Sequence, residues 1–208
     1  MNIFVTGIGT GVGKTLVSAI LTRALEADYW KPVQAGFDDG TDSEFIQQAV
    51  EGTSSVIHPE TYRLQMPASP HIAARKEGIN ISIEKICASI PVINRNLIIE
   101  GAGGLMVPLN EKAFVADLIK ALNAKVILVS RNYLGSINHS LLTAKVCRDL
   151  DLPVTGWIFN DQYLDYEEEI VRWSNFPKIA TVPYSETTDG AFINSQAAIV
   201  KEALKALL

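Results

Sequence analysis

Nine residues near the start of this chain, Gly7-Ile8-Gly9-Thr10-Gly11-Val12-Gly13-Lys14-Thr15, constrain its fold more than any other stretch. An apolar β-branched run, residues 2–6, precedes them, and Leu16, Ile20 and Leu21 follow at helical spacing. A strand must therefore turn into a helix through a loop in which every second residue is glycine. Successive backbone N–H groups of such a loop can face inward around a polyphosphate, and the helix N-terminus adds partial positive charge. Lys14 is expected at the outer phosphates and the Thr15 hydroxyl on magnesium. The usual spacing would put the opening glycine at Ile8, but glycines stand at 7 and 9 instead. The plainer alternative, a glycine turn that only packs a helix on a strand, does not call for Gly-Lys-Thr at the junction.

The rest of the chain repeats the same alternation. Strands are expected at 2–6, 29–33, 96–100, 125–129, 154–159 and 179–182. Helices are expected at 14–25, 42–50, 115–122, 136–148, 166–174 and 195–207. Continuous apolar strands separated by helices imply a mostly parallel sheet with helices on both faces, a three-layer α/β sandwich of P-loop NTPase type. Right-handed crossovers put every strand-to-helix loop at one edge of that sheet, where ligands of open α/β sheets bind. A second glycine stretch, Gly101-Ala102-Gly103-Gly104, is expected to form a loop at the same edge. Together the two stretches hold seven of the chain's fourteen glycines. Residues 53–90 carry Pro59, Pro67 and Pro70 and read as an irregular excursion with short helices. No linker divides residues 1–208, which read as one domain.

Composition excludes several classes. A net charge of −5 argues against a nucleic-acid binder with a broad basic face. Cys87 and Cys147 show no metal-ligand or disulfide spacing, and no run reaches the length of a membrane span. The first residues lack the pattern of a secretory leader, so a cytoplasmic protein without membrane or nucleic-acid partners is expected.

Charge placement supplies further candidates. Glu100 ends an apolar strand and Asp42 opens a helix, both at the phosphate edge, so with Thr15 they form an oxygen set suited to Mg²⁺. An N-cap is the plainer role for Asp42, and a strand-end charge for Glu100. Lys31, held extended by Pro32, is expected to meet Lys14 from a neighbouring strand tip on one reacting phosphate. Asn160, at a strand end, offers a donor and an acceptor suited to an adenine edge. Residues 135–138 begin a helix whose free N–H groups could bind a carboxylate.

These segments, in order and spacing, resemble the dethiobiotin synthetases, along nearly the whole chain. The carriers are the phosphate loop, Lys31-Pro32-Val33, Ser69-Pro70-His71, Glu100-Gly101-Ala102-Gly103-Gly104 with Pro108-Leu109, Leu134-Gly135-Ser136-Ile137-Asn138-His139, Gly156-Trp157-Ile158-Phe159-Asn160-Asp161, and Val182-Pro183. The resemblance implies ATP-dependent closure of a cyclic urea from 7,8-diaminopelargonic acid and CO2, with Mg²⁺. A carbamate and a carbamic–phosphoric anhydride would lie on the path. It implies catalytic roles for Lys31, Lys14 and Thr10, and metal ligation by Thr15, Asp42 and Glu100. Nucleotide contacts would come from Gly11, Val12, Gly13, Leu16, Gly101, Ala102, Gly103, Asn160, Asp161, Pro183, Tyr184 and Ser185. The diamine would be held by Lys31 and, across a homodimer interface, by Gly135, Ser136, Ile137 and Asn138. The chain departs from the family pattern at Gly9 and Gly11, where acidic residues are common, and at Ala35, where some members carry a hydroxyl. The length of the 37–41 loop leaves Asp38 and Asp39 as competitors for the place of Asp42. A partition-type ATPase switch acting on DNA or membrane is the alternative. It usually has an extra lysine early in the loop, where this chain offers Gly9 or Thr10, and Lys201 and Lys205 make residues 195–208 only weakly basic.

Overall fold

Burial on both faces explains why the strands read as unbroken apolar runs. The computed structural model describes residues 1–38, 40–161 and 163–207. In chain order its elements are β1 (Asn2–Gly7), α1 (Lys14–Ala24), β2 (Asp28–Trp30), β3 (Val33–Ala35), α2 (Asp42–Ala49), β4 (Ile57–His58), β5 (Tyr62–Leu64), α3 (Pro70–Lys76), α4 (Ile83–Ala88), β6 (Leu97–Gly104), α5 (Val115–Ala121), β7 (Lys125–Arg131), α6 (Ser136–Asp149), β8 (Val154–Asn160), α7 (Glu167–Ser174), β9 (Lys178–Val182) and α8 (Gly190–Leu204). Among the described residues seven strands form one parallel sheet in the order β4-β2-β6-β1-β7-β8-β9.

Alternate residues of the central strands β1, β6, β7 and β8 enter different cores, as the two-residue period of a strand requires. Ile3, Val5, Ile98, Ile127, Val129 and Ile158 pack with α1, α2 and α8 on one face. Phe4, Leu97, Ile99, Val126, Leu128, Trp157 and Phe159 pack with α3 to α7 on the other. The three-layer α/β sandwich and its mostly parallel sheet are therefore present. No helix among the described residues is long and apolar enough to cross a membrane.

The topology sets the site over β1. The chain leaves β1 toward β2 on one side, and later crosses from β6 to β7 on the other. That reversal opens a crevice at the carboxyl ends of the central strands, where the first glycine loop lies.

Several boundaries differ from expectation, each for a local reason. The expected strand 29–33 is two strands. Pro32 has no N–H to continue the ladder, and β3 leaves to pair with β5 in a small parallel sheet of its own. The short strands β4 and β5 fall in the region expected to be irregular, where too few residues alternate to give a period. The second glycine stretch is not a loop but the end of β6. Val5 pairs with Glu100 and Gly7 with Gly104, so two steps of β1 oppose four of β6, and the excess bulges outward. Gly104 approaches β1 so closely that a Cβ there would stand 3.1 Å from the Gly7 carbonyl oxygen. The last helix starts at Gly190 rather than at 195, because the Asp189 carboxylate accepts from the Phe192 N–H at 2.9 Å and caps it. Leu208, one residue past the expected helix, lies outside the described residues.

Candidate active site

Sheet register brings the charged residues together. Trp30 pairs with Ile99, so the next residues, Lys31 and Glu100, come side by side at the strand ends. Lys14 arrives from the loop after β1. The two strand tips were expected to be neighbours, but β1 and β2 are separated by β6, which runs between them. Glu100 therefore contacts Lys31 directly and acts on Lys14 electrostatically, opposing in both the effect of burial.

Both lysines are buried, Lys14 at 7% exposure and Lys31 at 6%, and Glu100 is 1% exposed. The Lys31 ammonium lies 2.5 Å from Asp42 Oδ2 and 3.1 Å from Glu100 Oε1. Glu100 Oε2 accepts from the Tyr29 hydroxyl at 3.0 Å. The Thr15 hydroxyl is hydrogen-bonded to Asp42 and stands 3.0 Å from Glu100 Oε1. Lys14 Nζ donates to the Gly9 carbonyl at 2.8 Å, folding back over its own loop.

The electrostatics follow from these contacts. Burial pushes the Lys14 ammonium down to about 8, with Glu100 opposing and Lys31 assisting that fall. Burial also acts to lower Lys31, but Glu100 and Asp42 outweigh it and hold Lys31 above the ordinary lysine value. Burial acts to raise Asp42, but Lys31 and Thr15 hold it below the usual carboxylate range. Burial, then Glu100, pushes the Tyr29 phenol well above its usual value. The pocket thus offers a firmly charged lysine beside one that holds its proton less tightly.

A helix cap frees one of these groups. The N-cap of α2 is Thr41, not Asp42. Its side chain accepts from the Glu44 N–H, and the Glu44 carboxylate accepts from the Thr41 N–H at 2.8 Å. Asp42, one residue inside, is left to face Lys31 and Thr15. Asp39 lies outside the described residues, and Asp38 is exposed and lines none of the cavities described below.

Thr10, Gly11, Gly13, Lys14, Thr15, Lys31, Asp42, Glu100, Ala102 and Gly103 line one cavity of about 750 Å³, within the range of small-ligand sites. Leu16 lines an adjoining cavity of about 630 Å³ that shares Thr15 and Asp42 with the first. Val12 and Asp161 line a third, beside Arg131 and Tyr133. Gly101 is buried against Phe4. Pro183, Tyr184 and Ser185 follow β9 at the same sheet edge, and Tyr184 is exposed. Gly135, Ser136, Ile137 and Asn138 open α6 outside the main cavity. The Ser136 hydroxyl is turned inward, 2.8 Å from the Tyr166 hydroxyl. Asn160 supports the loop, its amide nitrogen donating to the Val12 carbonyl at 3.1 Å.

Asn160 also explains a glycine. Gly13 has φ +89°, and a Cβ there would fall 2.0 Å from the Asn160 amide nitrogen. Gly13→Ala is expected to destabilise the chain by about 1–3 kcal/mol. Thermal unfolding without ligand would show it as a lowered Tm, and an unchanged Tm would refute the constraint.

Sequence reasoning missed Tyr29, Gln34 and residues 67–70, which complete the cavity or hold its acid. Tyr29 was findable, because it lies two residues from Lys31 on one extended segment and so shares its face. The proline segment was not, because its position depends on the excursion between β5 and α3.

The oxygens of Thr15, Asp42 and Glu100 converge from three elements and suit a hard cation such as Mg²⁺. Among the described residues no group of three or more His, Cys, Asp or Glu could hold a metal alone. A cation here would share its shell with phosphate oxygens and water.

Residues 1–191 match the family model described as AAA domain. The ATP-dependent dethiobiotin synthetase of Cytophaga hutchinsonii is 53% identical over 169 residues, covering 81% of each chain. That of Rhodopseudomonas palustris strain CGA009 is 42% identical over 195 residues, covering 93% of this chain and 91% of its own. Among solved structures, the MinD cell division protein of Aquifex aeolicus superposes with a TM-score of 0.60, over 99% of this chain and 95% of its own. A ParA family ATPase from Chlorobium tepidum superposes with a TM-score of 0.55, over 98% of this chain and 90% of its own. At 18% and 13% identity these two likenesses concern the fold alone.

Proposed function

The chain belongs to the ATP-dependent dethiobiotin synthetase family, and on that premise we propose that it closes the ureido ring of dethiobiotin from 7,8-diaminopelargonic acid, CO2 and ATP. The observation that carries the reading is the pairing of Lys14 and Lys31 around Glu100 in one cavity. One lysine extends from a phosphate loop and the other from a separate strand tip, so the cavity can hold two anions against each other.

In this reading Lys14, with the N–H groups around Gly11, Val12 and Gly13, cradles the β- and γ-phosphates, and Thr10 assists from the exposed crown of the loop. One substrate amine adds to CO2 and loses a proton, giving a carbamate. Lys31 steadies its negative charge against the γ-phosphate. A carbamate oxygen attacks phosphorus, ADP departs, and a carbamic–phosphoric anhydride remains. The second amine attacks the anhydride carbonyl, closing the ring and expelling inorganic phosphate. Catalysis is mostly alignment and charge stabilisation. Thr15, Asp42 and Glu100 would hold Mg²⁺, which supplies charge neutralisation on the phosphates.

Asn160, with Asp161 and residues 183–185, lies at the tips of β8 and β9, a suitable place for the adenine. Residues 135–138 lie at the start of a 14-residue helix outside the main cavity. They suit the substrate carboxylate in the cavity of a second copy. Leu134 and Leu142, exposed at 87% and 56%, would be covered in such a homodimer.

The decisive experiment supplies pure protein with diaminopelargonic acid, bicarbonate and MgATP. One cyclic urea per phosphate released supports the reading. ATP hydrolysis indifferent to the diamine, but stimulated by DNA or lipid vesicles, would instead favour a partition-type switch.

A further inference from the structure

Gln34 occupies the middle of β3 and lines both the main cavity and the adjoining one. It is 6% exposed. Its side-chain nitrogen donates to the Gly36 carbonyl at 2.8 Å. A carbonyl can only accept, so this bond decides which end of the amide is nitrogen and which is oxygen. The oxygen has no hydrogen-bond partner among the described residues, and solvent does not reach it. Buried amide oxygens are nearly always satisfied. Gln34 lines a reaction cavity, so a small turn of its amide on ligand entry would open this oxygen to a donor that the ligand brings.

The chemistry of the surroundings narrows that ligand. Lys14 and Lys31 are donors and suit anions. Asp42 and Glu100 are engaged by Lys31, Thr15 and Tyr29. A triphosphate, or the carboxylate end of a carbamate, has only acceptors and cannot satisfy Gln34. The diamine has N–H donors, and Gln34 stands three residues from Lys31 on the same cavity wall. Its oxygen is also uncharged. A carboxylate at this place would favour an ammonium ion, whereas an amide oxygen can hold a neutral amine with its lone pair free.

We propose that the Gln34 side-chain oxygen accepts a hydrogen bond from the substrate amine that is not carboxylated, holding it for attack on the anhydride carbonyl. The proposal rests on the function inferred above and adds a substrate-specificity residue to it.

The test measures steady-state kinetics and nucleotide affinity of Gln34→Met in the full chain. Diamine KM should rise about tenfold or more, while MgATP affinity, which also reports on folding, stays within about twofold. On the parent chain, two mono-amino analogues, each lacking one amine, should compete unequally, by about tenfold. Gln34→Met should bind both alike. If the parent chain closes no ring from the diamine, the functional reading fails and this proposal falls with it. If it does close the ring, but Gln34→Met keeps its diamine KM or the analogues compete equally in the parent chain, the proposal alone is overturned.

Discussion

Lys31→Gln is expected to keep MgATP affinity within about threefold of the parent chain, while ring closure falls by about 10²–10³-fold. The substitution removes the ammonium that sits between Asp42 and Glu100 at the strand end, but leaves the phosphate loop and Lys14 in place. In the proposed mechanism the nucleotide would keep its cradle and the carbamate would lose its counter-charge. Isothermal titration with a non-hydrolysable ATP analogue, set beside single-turnover product formation, separates the two quantities. Loss of nucleotide binding with normal turnover per bound ATP would make Lys31 a binding residue instead.

Glu100→Gln is the complementary case. Glu100 is the acid that Lys31, Thr15 and Tyr29 all contact. Its neutral counterpart preserves shape but removes the charge of a proposed metal ligand and part of the electrostatic support for two buried lysines. Turnover is expected to drop by about 10²–10³-fold. Unlike Lys31→Gln, the change should also weaken the Mg²⁺-dependent part of nucleotide binding, by about 10–100-fold. Titrating nucleotide with and without Mg²⁺ tests this directly. If the two variants bind MgATP equally well, Glu100 serves only as the counter-ion of Lys31, and the proposed metal set is wrong.

The elements that were legible in the sequence are those with a long apolar run or a strong local signal. Strands β1, β6, β7, β8 and β9 and helices α1, α2, α5, α6 and α7 lie close to where periodicity put them. The strands β4 and β5 are two and three residues long, too short for alternation to register, and they form because partners wait beside them. The end of β6 was misread for a different reason. Glycines are expected to break a strand, but Gly104 is retained in the ladder because β1 passes too close for a side chain. Asp42 illustrates the same limit in a single residue. A carboxylate at a helix start reads as a cap, and only the Thr41–Glu44 pairing shows that the cap is already supplied.

From the sequence alone came the phosphate loop, the alternation of strand and helix, and the identity of most charged residues in the cavity. Such signals are local, set by glycine spacing, side-chain period and residue chemistry within a few positions. Tertiary structure alone decided that β6 runs between β1 and β2, so that one buried acid acts on both lysines, and that Gln34 belongs to the site. Strand order and register are long-range choices. They are made by which faces pack together, and no stretch of a dozen residues contains that information.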